Sequence, residues 1–373
     1  MSPVRSNAPA HARNTQTQAQ ASRKHPVRNV IISVAVVLTV LIGAVALAGA
    51  LYIRNLDNRL SIGKDVRQSL QKPDDADTGS GAASEKPFYM MLVGSDARSG
   101  NENGRSDSLM LARVDPGSHR LDIVSIPRDM QVNIKGVDGV QKINAAYSYG
   151  GAALAISTVS EFAGVPISHY VEVNFANMTG LVDHLGGITV NVPESFSGGN
   201  SGLSLKAGEQ TLNGEQMLGF TRERYQVQGG DFSRTQAQQL VLLAIMQKIM
   251  AQPKTALPGL IQELAGAVST DMNVSSILQL ALKFYRQQPQ VQSAICPSYA
   301  FDQDGVSYVG VEYDEWRDMM QRLDAGMGPR GVGDIPAVQS SNAKLGAAAN
   351  AASPHDYAAL KNQSLNSDDI VAQ

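Results

Sequence analysis

The stretch DSLMLARVDPGSHRLDIVSIPRD, residues 107–129, predicts a β-hairpin. Two apolar runs flank a turn centred on Pro116-Gly117-Ser118, and this arrangement is typical of paired antiparallel strands. The run FYMMLVG, residues 88–94, predicts a buried strand before the hairpin. Because strands and helical patterns alternate further along, we expect a central sheet with helices on both faces. The hairpin makes this sheet mixed, so the predicted fold class is α/β with three α-β-α layers.

The apolar spacing after the hairpin predicts the remaining elements. A helix that starts near Asn144 should end at Gly164, and a long amphipathic helix should run to Met250 with Ser233 as its N-cap. Strands are predicted at HYVEVNF (169–175), ITVNVP (188–193) and VSYVGVEYD (306–314), and helices at 176–187, 255–268, 274–286 and 314–324.

Composition divides the 373-residue chain into five segments. Residues 1–29 predict a disordered cytoplasmic basic tail, and residues 30–53 predict one transmembrane helix. Residues 54–87 predict an extracytoplasmic stem and linker, which leads to a catalytic domain at 88–325. Residues 326–373 are low in large apolar side chains and predict a disordered tail.

The transmembrane prediction depends on charge. Residues 30–53 contain no charged side chain, and a helix of that length spans a hydrocarbon core of about 30 Å. The segment before it carries only basic charges, at Arg5, Arg13, Arg23, Lys24 and Arg28. We therefore expect a single-pass protein of the cell membrane, with a cytoplasmic N-terminus and an extracytoplasmic catalytic domain. A cleaved signal peptide is the alternative, although the apolar run is long for one.

Charge and cysteine content exclude several classes. Five of the 31 Lys and Arg lie in the N-terminal tail, so 26 remain against 34 Asp and Glu. The exported part is therefore acidic, which argues against nucleic acid as a partner. Cys296 is the single cysteine, so no intramolecular disulfide or cysteine-based metal site can form.

Closely spaced Arg and Asp residues occur in four clusters. Two of the clusters follow predicted strands and one opens a helix, so we expect them to converge on one cleft beyond the strand ends. Ordinary surface ion pairs are the alternative interpretation. The clusters contain Asp96, Arg98, Arg105 and Asp107; Arg128 and Asp129; Arg222 and Arg224; and Asp231, Arg234 and Gln238.

These residue types suit a pyrophosphate ligand. The planar guanidinium of arginine binds phosphate oxygens with two parallel hydrogen bonds. Carboxylates in a glycine-containing loop suit Mg²⁺, with Mn²⁺ as the alternative, because Mg²⁺ takes one or two carboxylates together with substrate phosphates. The sequence contains neither a GxxxxGK[ST] nor a GxGxxG nucleotide motif.

A series of motifs then resembles the LytR–CpsA–Psr family. The motifs occur in order as VGSDAR, GRSDSLMLARVDP, VSIPRDMQVNI, KINAAYSYGG, YVEVNF, VDHLGGITVNVP, GFTRERY and GDFSRTQAQQ. The resemblance covers about residues 88–250 and continues more weakly to 325. It implies a membrane-anchored phosphotransferase that moves a glycopolymer from a polyprenyl-pyrophosphate carrier to a cell-wall acceptor, a peptidoglycan hydroxyl.

The resemblance also implies residue roles. Asp96 and Asp107 match the metal-linked aspartates, and Asp107 and Arg128 are the predicted catalytic residues. Arg98 and Asp231 lie within the motifs as further polar residues of the site. The residues that match the pyrophosphate-binding set are Arg105, Arg128, Arg222, Arg224, Arg234 and Gln238.

The lipid tail of the carrier would occupy an apolar tunnel under the sheet. Small apolar residues at 145–160 and 240–250 would line that tunnel or belong to the core. Two other functions use the same cluster: a Mg²⁺-dependent hydrolase of the carrier pyrophosphate, and a non-enzymatic envelope protein that binds the lipid carrier.

Overall fold

We analysed a computed structural model that describes residues 49–71, 86–95, 106–199, 202–287 and 289–352. The chain divides into two compact units, Met1–Tyr52 and Ile53–Gln373. Only residues 49–52 of the first unit are described, and they are helical. In the described residues, no helix has both the length and the apolar character needed to cross a bilayer. The predicted span 30–53 lies mostly outside the described residues.

The second unit contains strands and helices in alternation. Its helices are α1 (53–60), α2 (Lys64–Ser69), α3 (Ala145–Ala163), α4 (Thr179–His184), α5 (Gly214–Arg222), α6 (Asp231–Met250), α7 (Leu257–Leu264), α8 (Val274–Arg286), α9 (Tyr313–Asp324) and α10 (Ala337–Ser340). Its main-sheet strands are β1 (Phe88–Ser95), β2 (Ser106–Asp115), β3 (Arg120–Ile126), β6 (Ile167–Asn174), β11 (Val268–Thr270) and β12 (Gln290–Ile295). Two-stranded sheets pair β4 (Gln131–Asn133) with β5 (Val140–Lys142), β7 (Ile188–Val192) with β10 (Gly208–Leu212), β8 (Phe196–Gly198) with β9 (Leu203–Leu205), and β13 (Ser298–Gln303) with β14 (Val306–Val311).

The main sheet is mixed, as the hairpin predicts. Its strand order is β11-β6-β1-β2-β3-β12, with β6 parallel to β1 and β12 parallel to β3. Strands β2 and β3 pair antiparallel, from Leu109 opposite Ile126 to Asp115 opposite Arg120. The Asp115 side chain accepts hydrogen bonds from the backbone amides of Gly117 and Ser118, and these bonds hold the turn.

The two faces of the sheet are packed differently. On one face, β1, β2 and β3 form the largest core cluster together with helix α3 and with Trp316, Met320 and Leu323 of α9. On the other face, Met90, Met110, Ala112 and Ile123 form a small buried cluster, and Val173 of β6 joins a larger one with Ala237, Val241, Ala244 and Ile245 of α6. Helix α6 covers the small cluster, with several half-buried apolar side chains between helix and sheet. Helices on both sides of a mixed sheet confirm the three-layer fold.

The carboxyl ends of four strands lie at one edge of the sheet. Strands β1 and β6 run in parallel and end at Ser95 and Asn174, and β3 and β12 run in parallel and end at Ile126 and Ile295. Because β2 is antiparallel to β1 and to β3, it begins at this same edge. We call this the carboxyl edge, and it is where ligands bind in open α/β sheets.

Two helix predictions need correction. The long helix α6 begins at Asp231 and not after Ser233, because the turn before it ends at Gly230, which has φ 55°. Ser233 lies in the first turn and accepts a hydrogen bond from the Gly229 amide at 3.1 Å. Helix α3 ends at Gly164 as predicted, but it is kinked at Gly150 and Gly151.

The boundaries of the predicted domain also need correction. Helix α1 packs Leu56 and Leu60 against Ile261 and Ala265, so residues 53–71 are part of the domain and do not form a free stem. Residues 326–352 were predicted to be disordered, and this is wrong. The amides of Gly346 and Ala348 donate to the carbonyls of Ala163 and Phe162, and Leu345 and Ala348 are buried. Backbone hydrogen bonds and the single large apolar side chain of Leu345 therefore attach a segment that is poor in such side chains.

Candidate functional site

Arg128 lies just beyond strand β3, at the carboxyl edge. Strand β3 is buried up to Ile126, and Pro127 ends the strand because it has no amide to donate. The Asn144 amide donates to the Arg128 carbonyl at 3.1 Å, which ties the arginine backbone to the start of helix α3. The side chain is 13% exposed, so its guanidinium is held in a largely buried position.

Asp231 brings two of the predicted arginines together. Its Oδ1 lies 3.2 Å from Nη2 of Arg128 and 2.7 Å from Nη2 of Arg234. Burial raises the pKa of Asp231, while Arg234 and Arg128 act in the opposite direction, and Arg224 is close enough to contribute as well. The first turn of α6 is thereby attached to the end of β3, although 103 residues separate Arg128 from Asp231.

A buried glutamate shapes the segment with Arg222 and Arg224. Helix α5 ends at Arg222, and Glu223 follows with 2% exposure. Its Oε1 accepts hydrogen bonds from three successive backbone amides, those of residues 224–226, at 3.0, 2.8 and 3.0 Å. The Arg224 guanidinium lies 4.7 Å from the centre of the Tyr225 ring. Sequence reasoning missed Glu223, because in TRERY it looks like one more surface charge.

Gln238 lies two turns into α6, at the junction with α5. It is 3% exposed, and its Nε2 donates to the Thr221 carbonyl at 3.3 Å. Its Oε1 is buried and has no hydrogen-bond partner among the described residues. The next residue, Gln239, donates to the carbonyls of Ile123 and Ala294 and so attaches α6 to β3 and β12.

Lys142 is a further cation that sequence reasoning did not select. Its Nζ lies 3.3 Å from Oδ1 of Asp129, the residue after Arg128, and 5.9 Å from the centre of the Tyr308 ring. Lys142 belongs to the KINAAYSYGG motif, and that motif could have indicated it. Lys142, Arg128, Arg224 and Arg234 make four cationic side chains in this region. Because the cations outnumber the carboxylates that pair with them, the region suits a polyanionic ligand.

A tyrosine pair links two other motifs. Tyr147 and Tyr170 both donate to Oε2 of Glu172, at 3.0 and 3.1 Å. Burial, together with Glu172, raises the pKa of Tyr147 to about 12 and raises that of Tyr170 further. Both tyrosines therefore stay protonated and hold the glutamate on the α3 face of strand β6, next to Val93 of β1.

Asp107, one of the two predicted metal ligands, belongs to the start of β2. Gly94 pairs with Ser108 and Ser95 pairs with Ser106, so Asp107 is the extra residue of a β-bulge. A Cβ at Gly94 would clash with Ser108 Oγ and with the Phe175 ring, so this position requires glycine. The Asp107 side chain and all of Asp96, Arg98 and Arg105 lie outside the described residues.

A Mg²⁺ site at this bulge stays a prediction, because the side chains expected to hold the ion lie outside the described residues. No group of three or more His, Cys, Asp or Glu side chains lies together in the described part of the chain, but Mg²⁺ needs only one or two carboxylates beside substrate phosphates. Asp107 is the bulge residue, and Asp96 follows Ser95 directly in the chain. Ser108, the residue after Asp107 in the chain, has a buried Oγ with no hydrogen-bond partner among the described residues.

The fold and the side chains at this edge define the class of protein, which is a mixed α/β domain with arginines gathered at the carboxyl edge of its sheet. Residues 56–325 match the LytR_cpsA_psr family, and the chain belongs to that family. It is 35% identical over 245 residues to the polyisoprenyl-teichoic acid–peptidoglycan teichoic acid transferase TagU of Enterococcus faecalis, covering 64% of this chain and 79% of the relative. It is 38% identical over 183 residues to TagU of Bacillus subtilis, covering 49% and 59% of the two chains.

Solved structures agree with this assignment. TagV of B. subtilis superposes with a TM-score of 0.53 at 30% identity, covering 61% of this chain and 92% of TagV. TagT bound to LIIa-WTA superposes with a TM-score of 0.52 at 25% identity, covering 65% and 94% of the two chains.

Proposed function

We propose that this protein is a membrane-anchored phosphotransferase that moves a glycopolymer from a polyprenyl-pyrophosphate carrier to a peptidoglycan hydroxyl. The observation that carries the proposal is the contact of Arg128 and Arg234 with one oxygen of Asp231 at the carboxyl edge. The similarity to transferases of polyisoprenyl-linked teichoic acid supports the same chemistry.

The arginines bind the pyrophosphate in this proposal. In the protein without ligand, Asp231 neutralises part of their charge, and a pyrophosphate would replace it as their partner with more oxygens to bind. Arg224, whose charge acts on Asp231, and Lys142, which pairs with Asp129, add further positive charge. Arg105 and Arg222 complete the proposed set, and Gln238 offers its buried Oε1 as an acceptor for a ligand hydroxyl.

Asp96 and Asp107 would hold Mg²⁺, with Mn²⁺ as the substitute. When bound, Mg²⁺ neutralises charge on the phosphate oxygens. In the reaction the acceptor oxygen forms a bond to the sugar-bearing phosphorus, the bond from this phosphorus to the bridging oxygen breaks, and polyprenyl monophosphate leaves. Arg128 stabilises the charge on the leaving phosphate, and Asp107 takes the proton of the acceptor hydroxyl.

The polyprenyl tail would lie between the sheet and helix α6. Around the buried Met90, Met110, Ala112 and Ile123, several apolar side chains on that face stay half-buried, whereas most of the apolar side chains on the α3 face are fully buried. The alanines of α3, including Ala152 and Ala155, belong to the closed core. The half-buried apolar residues that would line a tail site are Phe88, Leu92, Leu121, Val171, Leu242, Leu243 and Met272. Burying this area under a lipid would be favourable by about 25 cal/mol per Å².

The proposal of a membrane anchor is based on the amino-acid sequence. The uncharged residues 30–53 and the basic residues before them support a single-pass protein with an extracytoplasmic catalytic domain. Such an anchor would keep the protein in the same membrane as the lipid carrier.

The test measures turnover of a polyprenyl-pyrophosphate glycan by the full-length protein in detergent, with Mg²⁺ and peptidoglycan. Arg128→Ala should lower kcat/KM at least 100-fold, since loss of one electrostatic group at a transition state typically costs this much. Arg317→Ala is the control, because Arg317 is a surface arginine paired with Asp314. Glycan released equally with and without acceptor would support a hydrolase instead. Binding of the carrier without any turnover would support the non-enzymatic binder.

A further inference from the structure

Helix α8 lies at the end of the main sheet opposite the carboxyl edge. We call this end the amino edge, because strands β1, β3, β6 and β12 begin there. At the start of α8, the Val274 amide donates to Oδ1 of Asp57 in α1 at 2.7 Å. Near the end of α8, the Phe284 ring lies 6.4 Å from the ring of His119 in the turn between β2 and β3. Helix α8 therefore crosses the amino edge from α1 to this turn.

The apolar side chains of α8 are only partly buried. Among the described side chains of this helix, Val274 alone is buried. The C-terminal end of α8 is attached to α6 by Tyr285, whose hydroxyl donates to the Ile249 carbonyl at 2.6 Å. A surface helix usually buries its apolar side against its own domain, so α8 keeps apolar surface for a further partner. The half-buried apolar residues of α8 are Ile277, Leu278, Leu280, Ala281, Leu282 and Phe284.

The elements around α8 are basic, although the domain as a whole is acidic. Residues 53–71, 248–256 and 268–286 form this surface, which we call the basal face. They carry eight Lys and Arg against three Asp, whereas the chain after the predicted span has 26 Lys and Arg against 34 Asp and Glu. Two of the three aspartates, Asp57 and Asp271, accept hydrogen bonds from groups of the domain itself. The basal face therefore presents an excess of positive charge, which suits an anionic surface.

We infer that the basal face docks on a bilayer that contains anionic phospholipids, with α8 in the headgroup layer. This rests on the membrane anchoring in the proposed function. A helix with an apolar side and basic neighbours binds in the headgroup layer, and each Lys or Arg near an anionic surface strengthens binding about fivefold. Arg54 of α1 follows the predicted span directly, so the basal face is also the part of the domain closest in sequence to the membrane.

Docking on the basal face would connect the proposed tail site with the bilayer. Phe88 and Leu121, near the amino ends of β1 and β3, and Met272, just before α8, are among the half-buried residues proposed to line the tail site. Strand β1 has eight residues, and at about 3.3 Å per residue the carboxyl edge stands about 25 Å above the amino edge. A polyprenyl chain whose pyrophosphate is bound at Arg128 would run down the sheet and continue into the bilayer without crossing water.

The test measures quenching of a fluorophore by lipids that carry a nitroxide near the headgroup. The full-length protein is placed in vesicles of phosphatidylcholine, with or without phosphatidylglycerol. Because Cys296 is fully buried, the fluorophore attaches only to an introduced cysteine. A label on Leu280→Cys should lose at least half of its fluorescence when phosphatidylglycerol is present. A label on Gly180→Cys should lose none, because Gly180 lies in α4 beyond the carboxyl edge, where an added side chain meets open space.

Charge reversal tests the role of the basic residues. Arg59→Glu combined with Lys254→Glu should remove most of the quenching at position 280, because both side chains are exposed on the basal face. The matched control is Lys135→Glu combined with Lys206→Glu, which changes the net charge equally at exposed lysines outside the basal face and should leave the quenching unchanged. Quenching at 280 that is no stronger than at 180, or that is the same with and without phosphatidylglycerol, would overturn the inference.

Flotation of the full-length protein with the vesicles in concentrated salt tests the anchor separately, because salt screens the surface charges. A protein that floats in salt and shows no quenching at position 280 keeps the anchor and refutes the docking. A protein that does not float in salt has no anchor, and quenching at position 280 in dilute salt then decides the docking by itself. Turnover measured in detergent depends on neither result, so a failure of the transferase proposal is recognised independently.

Discussion

Glu223→Ala should destabilise the segment with Arg224 more than any exposed substitution nearby. Three backbone amides donate to one buried carboxylate oxygen of Glu223. Hydrogen bonds to a charged group contribute about 1.5–3 kcal/mol each. Because the three share one oxygen they do not add fully, so we expect a loss of about 3–5 kcal/mol in the free energy of unfolding. Glu223→Gln keeps an acceptor oxygen and loses the charge, so it should lose about 1–2 kcal/mol.

Urea unfolding of the three proteins, with Glu209→Ala as the exposed control, measures this difference. Hydrogen exchange at the amides of residues 224–226 should accelerate in Glu223→Ala, because those amides lose their acceptor. Titration with inorganic pyrophosphate should show at least tenfold weaker binding, since Arg224 is no longer held near Asp231. If Glu223→Ala unfolds within about 0.5 kcal/mol of Glu209→Ala and its amides remain protected, the carboxylate does not hold the segment.

Three further outcomes follow from other contacts. Gly164→Ala should lower the free energy of unfolding in urea by about 2–4 kcal/mol. Gly164 has φ 70°, and a Cβ there would clash with the Lys344 carbonyl. Gly180→Ala is the control, because a Cβ at Gly180 meets open space and should leave the stability unchanged. The pKa of Asp231 is raised by burial, so the folded state takes up this proton first as the pH falls. The free energy of unfolding of the wild type should therefore rise relative to that of Asp231→Asn as the pH falls from the folded-state pKa towards the unfolded-state pKa of about 3.9. If the difference between the two proteins stays constant over that pH range, the pKa of Asp231 is not raised by folding. Burial raises the pKa of the fully buried Cys296 thiol, so iodoacetamide should label it only in urea, as mass spectrometry would show.

The sequence predicts those features correctly that depend on interactions between residues close together in the chain. The turn after Asp115 depends on a side chain two and three residues from the amides that it binds, so the hairpin follows from sequence. The end of helix α3 is equally local, because only glycine adopts the left-handed backbone of Gly164 without strain. Among the predicted site residues, the structure brings Arg128 and Arg234 into contact with Asp231. The role of the whole set in binding a ligand stays a prediction.

Some predictions failed because they took a low content of large apolar side chains to mean that a segment is disordered. The segment 326–352 is poor in large apolar residues, yet it is held by backbone hydrogen bonds to the end of α3. Burial of backbone polar groups depends on partners that lie far away in sequence, so composition does not reveal it. The same reason applies to Leu56 and Leu60, whose partners are in α7.

The sequence alone determined the mixed α/β class, the hairpin and the residue types of an anion site, because strand pairing and turn chemistry depend on near neighbours. Only the tertiary structure determined which charged side chains form ion pairs with one another. It placed Asp231 between Arg128 and Arg234, gave Glu223 a buried role in TRERY, and added Lys142 beside Asp129. The physical reason is that an ion pair depends on distances of 3–4 Å between groups separated by many residues, and only the packed sheet and helix α6 bring them that close.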